Sequence, residues 1–421
     1  MRQYISHNKH SIVPVDPDRE EKQMHRSCHI LIFVFVFILV AGSLPAGAEE
    51  VNVHGFISQG YLQTNQNNYL AETDDGSFQF NEMGINFTTA VSDRLTLGCQ
   101  FFARDLGDVG NDEIVINWAF AEFEYKNWLN LRVGTLKGPF GLYNDLRDFD
   151  ALRTSIFLPS SVYNEWLRDG LNKLKGIELF GTVILGPLGL VQYQTMVGQP
   201  LISMDSGTVK FIQTSGGIDS ISAIENDDVY GARLIWTTPL TGLRICGTYI
   251  YSNMLYKGIA SDPRMPGTEI PLTVDTKNAQ VCVFSAEYIY GDLKLSAENY
   301  WALSDNTATA TINIPGKDPI ENIVHQDIDV KDSYYVSIGY RFAEQIEAAF
   351  YYSEYVSPEG IQGTKEKLKD QCLSFRFDIN PFWVAKLEAH VMDGKFGVLP
   401  DNDGHTYNEW MLYAAKMSYS F

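Results

Sequence analysis

Basic residues are scarce in this chain. Lys and Arg number 32 against 52 Asp and Glu, a formal net charge of −20. Phosphate binding wants a concentrated positive face, so a nucleic-acid partner is disfavoured. Cysteine is rarer still, with five in 421 residues. Cys99, Cys246, Cys282 and Cys372 stand singly in strand-like segments and never as a CxxC pair, so neither a disulfide framework nor a zinc site is signalled, and no metal or cofactor is expected. Beyond residue 48 the histidines are His54, His325, His390 and His405, none with a nucleophile motif around it, which argues against an enzyme of the lipase or protease type. Asp401-Asn402-Asp403-Gly404 starts like a calcium loop, but the twelfth position of such a loop is Leu412 rather than Glu, so that reading fails. Helical periodicity is almost absent.

Long apolar runs are also missing, with one exception. Ile30 to Val40 is uncharged and apolar, preceded by Lys22, His25 and Arg26 and followed by Ala46-Gly47-Ala48. That layout is a secretory signal peptide, with cleavage expected after Ala48. At about eleven residues the run is too short for a membrane helix, which needs about twenty. Met24 would give a start of more usual length. Residues 1–48 are thus read as signal peptide and 49–421 as one domain, and no plug domain precedes it. Without the first 48 residues the chain is roughly 21 negative.

What the chain has in abundance is alternation. Met83, Ile85, Phe87, Thr89 and Val91 share one face opposite Glu82, Gly84, Asn86 and Thr88. Ser92-Asp93 then turns into Leu95, Leu97, Cys99, Phe101 and Ala103 against Gln100 and Arg104. The same period of two recurs to the final stretch, Trp410 to Phe421. About sixteen strands follow from it, joined by connections that alternate between short and long. Met254–Asp275 and Ser304–Asp329 read as two of the long loops, and Gln199–Asp227 as a polar stretch. Aromatics gather at strand ends, as in Tyr249/Tyr251, Tyr288/Tyr290 and Tyr419/Phe421. One apolar and one polar face per strand, with sorted connections, is the pattern of an all-β transmembrane antiparallel barrel with short periplasmic turns and long extracellular loops.

Lys137 to Lys173 breaks the pattern. For about thirty residues alternation gives way to Pro139, Pro159, aromatics in no fixed order and charges of both signs. The expectation is that this third long connection lies inside the barrel and narrows it. Its Asp145, Arg147, Asp148, Asp150, Arg153, Glu165, Arg168 and Asp169 are candidate constriction residues, facing wall residues Arg104, Glu122, Glu124, Arg132 and Glu178. Such charges either set a transverse field across the channel or pair with one another and pin the segment.

The terminal AAKMSYSF, with Tyr419 and Phe421 at alternate positions, resembles the C-terminal assembly signal of Gram-negative outer-membrane barrels. LRVGTLKGPFGLYNDLRD (Leu131–Asp148), the RTSIFLPSSVY that follows it closely and VHGFISQGYLQT near residue 53 resemble bacterial porins, in particular the group containing phosphate-selective and general porins. The resemblance implies a 16-stranded outer-membrane barrel with its third loop in the lumen, a homotrimeric assembly, recognition by the barrel-assembly machinery and contact with outer-membrane lipid. One departure stands out. Inward basic residues such as Arg104, Arg132, Arg233, Arg244, Lys294 and Arg341 are matched almost one for one by inward acids, so an anion-stripping array for phosphate is not expected. The negative excess lies in the loops, which if anything favours cations at the rim. The function expected is passive, weakly selective diffusion of small hydrophilic solutes or ions. An outer-membrane enzyme and an adhesin or structural barrel are the other classes.

Overall fold

The computed structural model describes residues 50–107, 109–261, 267–312, 318–356 and 367–421. The expected signal peptide lies outside them. Residues from Val51 onward form one unit.

Alternating residues build sixteen antiparallel strands. In chain order they are β1 (Asn52–Thr64), β2 (Asn81–Ser92), β3 (Leu95–Asp105), β4 (Val115–Lys126), β5 (Leu129–Leu136), β6 (Leu174–Ile184), β7 (Leu190–Pro200), and β8, which is interrupted (Ser220–Asn226 and Val229–Thr237). There follow β9 (Leu243–Ser261), β10 (Glu269–Tyr290), β11 (Leu293–Ile312), β12 (Ile320–Ala343), β13 (Ile346–Val356), β14 (Lys367–Asp378), β15 (Trp383–Asp393) and β16 (Glu409–Ser420). Each pairs with its neighbours in sequence, and β16 pairs with β1 from Phe56↔Ser420 to Thr64↔Leu412, which closes the barrel and leaves no free edge.

The seam continues through the last residue. Phe421 N–H donates to Gly55 O at 3.0 Å and Gly55 N–H to Phe421 O at 3.1 Å, while a Cβ on Gly55 would stand 2.5 Å from Phe421 Cζ. Glycine at position 55 is therefore what lets the terminal ring lie flat on β1.

Large apolar side chains, Ile57, Leu179, Leu234, Phe284, Ile338 and Leu387 among them, point outward and are exposed. This is the lipid face, and no soluble protein tolerates so continuous an apolar belt. Aromatics edge it at both ends. Trp383–Tyr419 and Tyr340–Phe342, each 5.0 Å between rings, lie beside short turns. Tyr230–Tyr251 and Tyr334–Tyr352, at 6.4 and 6.1 Å, lie toward the long-loop end.

Two expectations need correction. Met254–Asp275 and Ser304–Asp329 are mostly strand: β9 to β12 run 19 to 24 residues. Their outer ends rise above the lipid, both faces are wet, and the apolar half of the alternation vanishes while backbone pairing continues, as in Thr307↔His325 and Thr309↔Ile323. Even Pro271 lies within β10, opposite Ile259. The polar stretch 199–227 holds a helix, Gly207–Gly216, capped by the Ser206 hydroxyl accepting from Val209 N–H and ended by Gly217 at φ 61°.

Candidate functional site: the segment inside the barrel

The chain leaves β5 at Leu136 and returns at Leu174, and the residues between them fold into the lumen. Two 3-10 turns, Asn144–Leu146 and Asp150–Leu152, and a short helix, Arg168–Asn172, are its regular pieces. Gly141 adopts φ 53°, and a Cβ there would fall 2.3 Å from the Tyr163 hydroxyl, so the sharp entry of the segment needs glycine.

Apolar groups of the segment divide between two clusters. Phe140, Tyr143, Val162 and Tyr163 pack with Met196, Ile250, Val283 and Tyr335 of the wall. Ile156, Phe157 and Trp166 join Leu62, Tyr69, Phe80, Trp410 and Val398 on the opposite side. A barrel of this strand number would otherwise hold a wide aqueous lumen. Here much of it is packed.

Charge does the remaining anchoring. Arg168 is a hub: its guanidinium reaches Glu82 and Asp148 at 2.7 Å each and Glu165 at 3.4 Å. Arg147 holds Glu165 at 2.9 Å, Arg104 of β3 holds Glu165 at 3.4 Å and Asp169 at 3.1 Å, and Lys137 donates to Asp148. Asp150 is a second hub, paired with Lys416 at 2.8 Å, Arg153 at 3.2 Å and Lys386 at 3.7 Å, and accepting from the Ser418 hydroxyl at 2.7 Å. Lys416 also reaches Glu82 at 2.5 Å and so joins the two hubs. Wall carboxylates clamp the segment's backbone as well. Glu388 accepts from Ile156 N–H at 2.6 Å and Phe157 N–H at 3.1 Å, and Glu298 accepts from Leu142 N–H at 3.0 Å. Thr154 donates to Glu347, Tyr143 to Glu287, and Arg233 pairs with Asp145.

Electrostatics follow the geometry. Burial pushes the carboxyls of Asp148, Asp150 and Glu165 up, but the surrounding cations outweigh it and hold all three below the usual carboxylate range. Asp169 is likewise held low by Arg104 against its burial. Burial lowers the Arg147 guanidinium, and it lowers Lys173 as well.

Of the eight segment residues anticipated from sequence, Arg147, Asp148, Asp150, Glu165 and Arg168 are buried, and Asp145, Arg153 and Asp169 are partly so. Their charges are spent on one another and on the wall. What the segment offers to solvent inside the barrel is instead Leu146 and Leu152, both exposed, with Asp145 beside them. On the wall left uncovered, Arg132 lies between the rings of Phe120 and Phe180, 4.7 and 4.6 Å away, and pairs with Glu122 at 2.5 Å and Glu178 at 2.7 Å. Glu124 is exposed near the end of β4.

Formal balance on this wall conceals an asymmetry. Arg244 is 34 % exposed and Lys294 36 %, whereas the Glu287 they share is 1 % exposed. Arg341 is 33 % exposed against 14 % for Glu347. In Arg132 with Glu178 the order is the same. Asp145 with Arg233 and Asp378 with Arg376 run the other way. Arg244, Lys294 and Arg341 were visible in the sequence as inward cations, but their greater exposure depends on how deep each acid lies beneath the segment, which spacing does not encode. Glu298 and Glu388 are among the inward acids that balance those cations, and nothing in their spacing shows that they clamp the segment's amides.

No protein-family model matches the chain, and no curated relative matches it. Solved structures do. OmpT of Vibrio cholerae, an outer membrane protein in its trimer form, superposes with a TM-score of 0.52 at 12% identity over 89% of this chain and 100% of its own. The outer membrane channel DcaP of Acinetobacter baumannii gives 0.52 at 11% identity over 90% and 99%, and an anion-selective porin from Comamonas acidovorans 0.52 at 13% over 89% and 100%. The fold is therefore that of outer-membrane porins. A closed barrel with an apolar belt belongs in the outer membrane of a Gram-negative cell.

Proposed function

We propose that the protein is a narrow diffusion channel for small hydrophilic solutes and ions. One observation carries the reading. Inside a lipid-faced barrel, a folded-in segment consumes its own charges as anchors, and the space it leaves is bordered by solvated ionic side chains rather than by packed apolar ones. The passage runs between Leu146, Leu152 and Asp145 on the segment and Arg132, Arg244, Lys294 and Arg341 on the wall. Because most of these wall cations are more exposed than their acids, the narrow part is mildly anion-preferring, while the acidic outer loops temper that preference. An array built to strip water from phosphate is not present in this set, since each cation already has a carboxylate.

Nothing in the site favours hydrolysis. His54, His325 and His405 are exposed, with His325 against Thr307 at 3.1 Å and His405 near Asp401. His390 lies beside Cys372 and Asp370, but all three are buried where a substrate has no approach. Cleavage after Ala48, assembly through the terminal Tyr419 and Phe421, and a homotrimer like the trimeric neighbour complete the reading. Planar-bilayer recording of the purified 49–421 chain tests it. Stable open channels with a small anion-directed reversal potential in a salt gradient are expected; inserted protein that passes no current refutes the channel.

A further inference from the structure

Cys372 and His390 stand directly opposite each other on β14 and β15, on the lumen face, with Glu388 two residues from His390. All three are buried, and one ligand-capable atom of each lies within 4.8 Å of the others. Asp370 accepts from His390 Nδ1 at 3.0 Å and is itself held by the Tyr351 hydroxyl at 2.8 Å. An ionised carboxylate only accepts, so Nδ1 donates to Asp370, and Nε2, turned toward Glu388 Oε2 at 3.3 Å and Cys372 Sγ at 3.7 Å, donates to Glu388 when no metal ion lies between them. Nε2, Sγ and a carboxylate oxygen thus converge on one point, which a metal ion can occupy in place of the Nε2 proton.

We propose that Cys372, His390 and Glu388 bind a divalent transition-metal ion of the zinc type. Tetrahedral zinc with ordinary bond lengths separates sulfur from imidazole nitrogen by about 3.6 Å and nitrogen from carboxylate oxygen by about 3.3 Å. The distances here are 3.7 and 3.3 Å. Asp370 supplies the carboxylate that fixes the imidazole tautomer in many metal sites, and a thiolate, an imidazole and a carboxylate suit zinc better than calcium or magnesium. Binding releases the Nε2 proton and the thiol proton to solvent; thiolate and carboxylate then match the ion's charge. The remaining lone pairs of Glu388 still accept from Ile156 and Phe157, so the ion would brace the carboxylate that clamps the lumen segment. This inference does not depend on the barrel's being a channel.

The test is refolding of the 49–421 chain in detergent with zinc or cobalt(II), followed by gel filtration, metal analysis and absorption spectroscopy. Heat-modifiable migration reports folding. Expected are one metal per folded barrel and a thiolate-to-cobalt charge-transfer band, both kept in Cys282→Ser, whose thiol is on the lipid-facing side, and lost in Cys372→Ser; His390→Gln should reduce the metal to background. Folded wild-type barrels without metal overturn the proposal and assign the cluster to a proton shared among Asp370, His390 and Glu388. A cobalt band that survives in folded Cys372→Ser overturns it too. If a variant does not fold, the wild-type titration decides alone.

Discussion

Asp150→Asn removes the charge at the second of the two hubs, where the lumen segment pairs with Lys386 and Lys416 of the wall. Lys416 keeps Glu82 at 2.5 Å, but Lys386 keeps only the Ser155 carbonyl at 3.0 Å, and both lysines are buried. Stripping one partner from a buried ion pair costs about 3–5 kcal/mol, because the remaining charge stays desolvated. At about 1.4 kcal/mol per decade this moves the balance between docked and undocked segment by about two to nearly four orders of magnitude. The barrel itself should persist, since its strands are hydrogen-bonded all the way round and do not depend on Asp150. The assay is single-channel recording beside heat-modifiable migration. Higher mean conductance and added open-state noise are expected, with folded yield retained. A double-mutant cycle with Lys416→Met should give a coupling of about 0.5–3 kcal/mol, as contacting residues do. Unchanged conductance and noise in a folded Asp150→Asn channel would refute the view that this hub holds the segment in the pore.

The carboxyls of Asp148, Asp150 and Glu165 are held below their ordinary values, so their pairing stabilises the docked segment above the unfolded range near pH 4 and is lost as pH falls through the lower folded values. Conductance should be flat from about pH 8 to 5 and rise only below about 4, and a transition between 5 and 8 in the segment-dependent conductance would contradict this. Arg132→Gln removes a partly exposed lumen cation and leaves Glu122 and Glu178 without it, so the reversal potential in a salt gradient should move toward cations. Deleting Phe421 removes the last hydrogen-bonded pair at the β1–β16 seam, and folded yield should fall; normal insertion would show the seam does not need it.

Much of the fold was legible because lipid enforces a strict period of two. Wherever a strand touches the belt, as with Met83 to Val91 or Leu373 to Ile379, the outward face is apolar and the strand is plain in the sequence. Where β9 to β12 rise above the belt, nothing enforces the pattern, and Thr307 or Ile323 look like loop. The lumen segment was legible as an interruption, and its charges as a group. Their partners were not, because Arg168 meets Glu82 and Asp150 meets Lys416 only after the barrel closes and brings β16 beside β1, one strand from β2. Cys372 and His390 were a nearer miss: the hairpin turning between Asp378 and Trp383 sets their register, and placing that turn to the residue would have brought them opposite.

Whether residues 140–164 narrow the pore is decided by comparing single-channel conductance of the 49–421 chain with that of the same chain lacking them, in the same bilayer and salt. A channel narrowed by this segment opens to a markedly larger conductance when the segment is removed. Equal conductance from the two folded proteins would place the segment outside the conducting path.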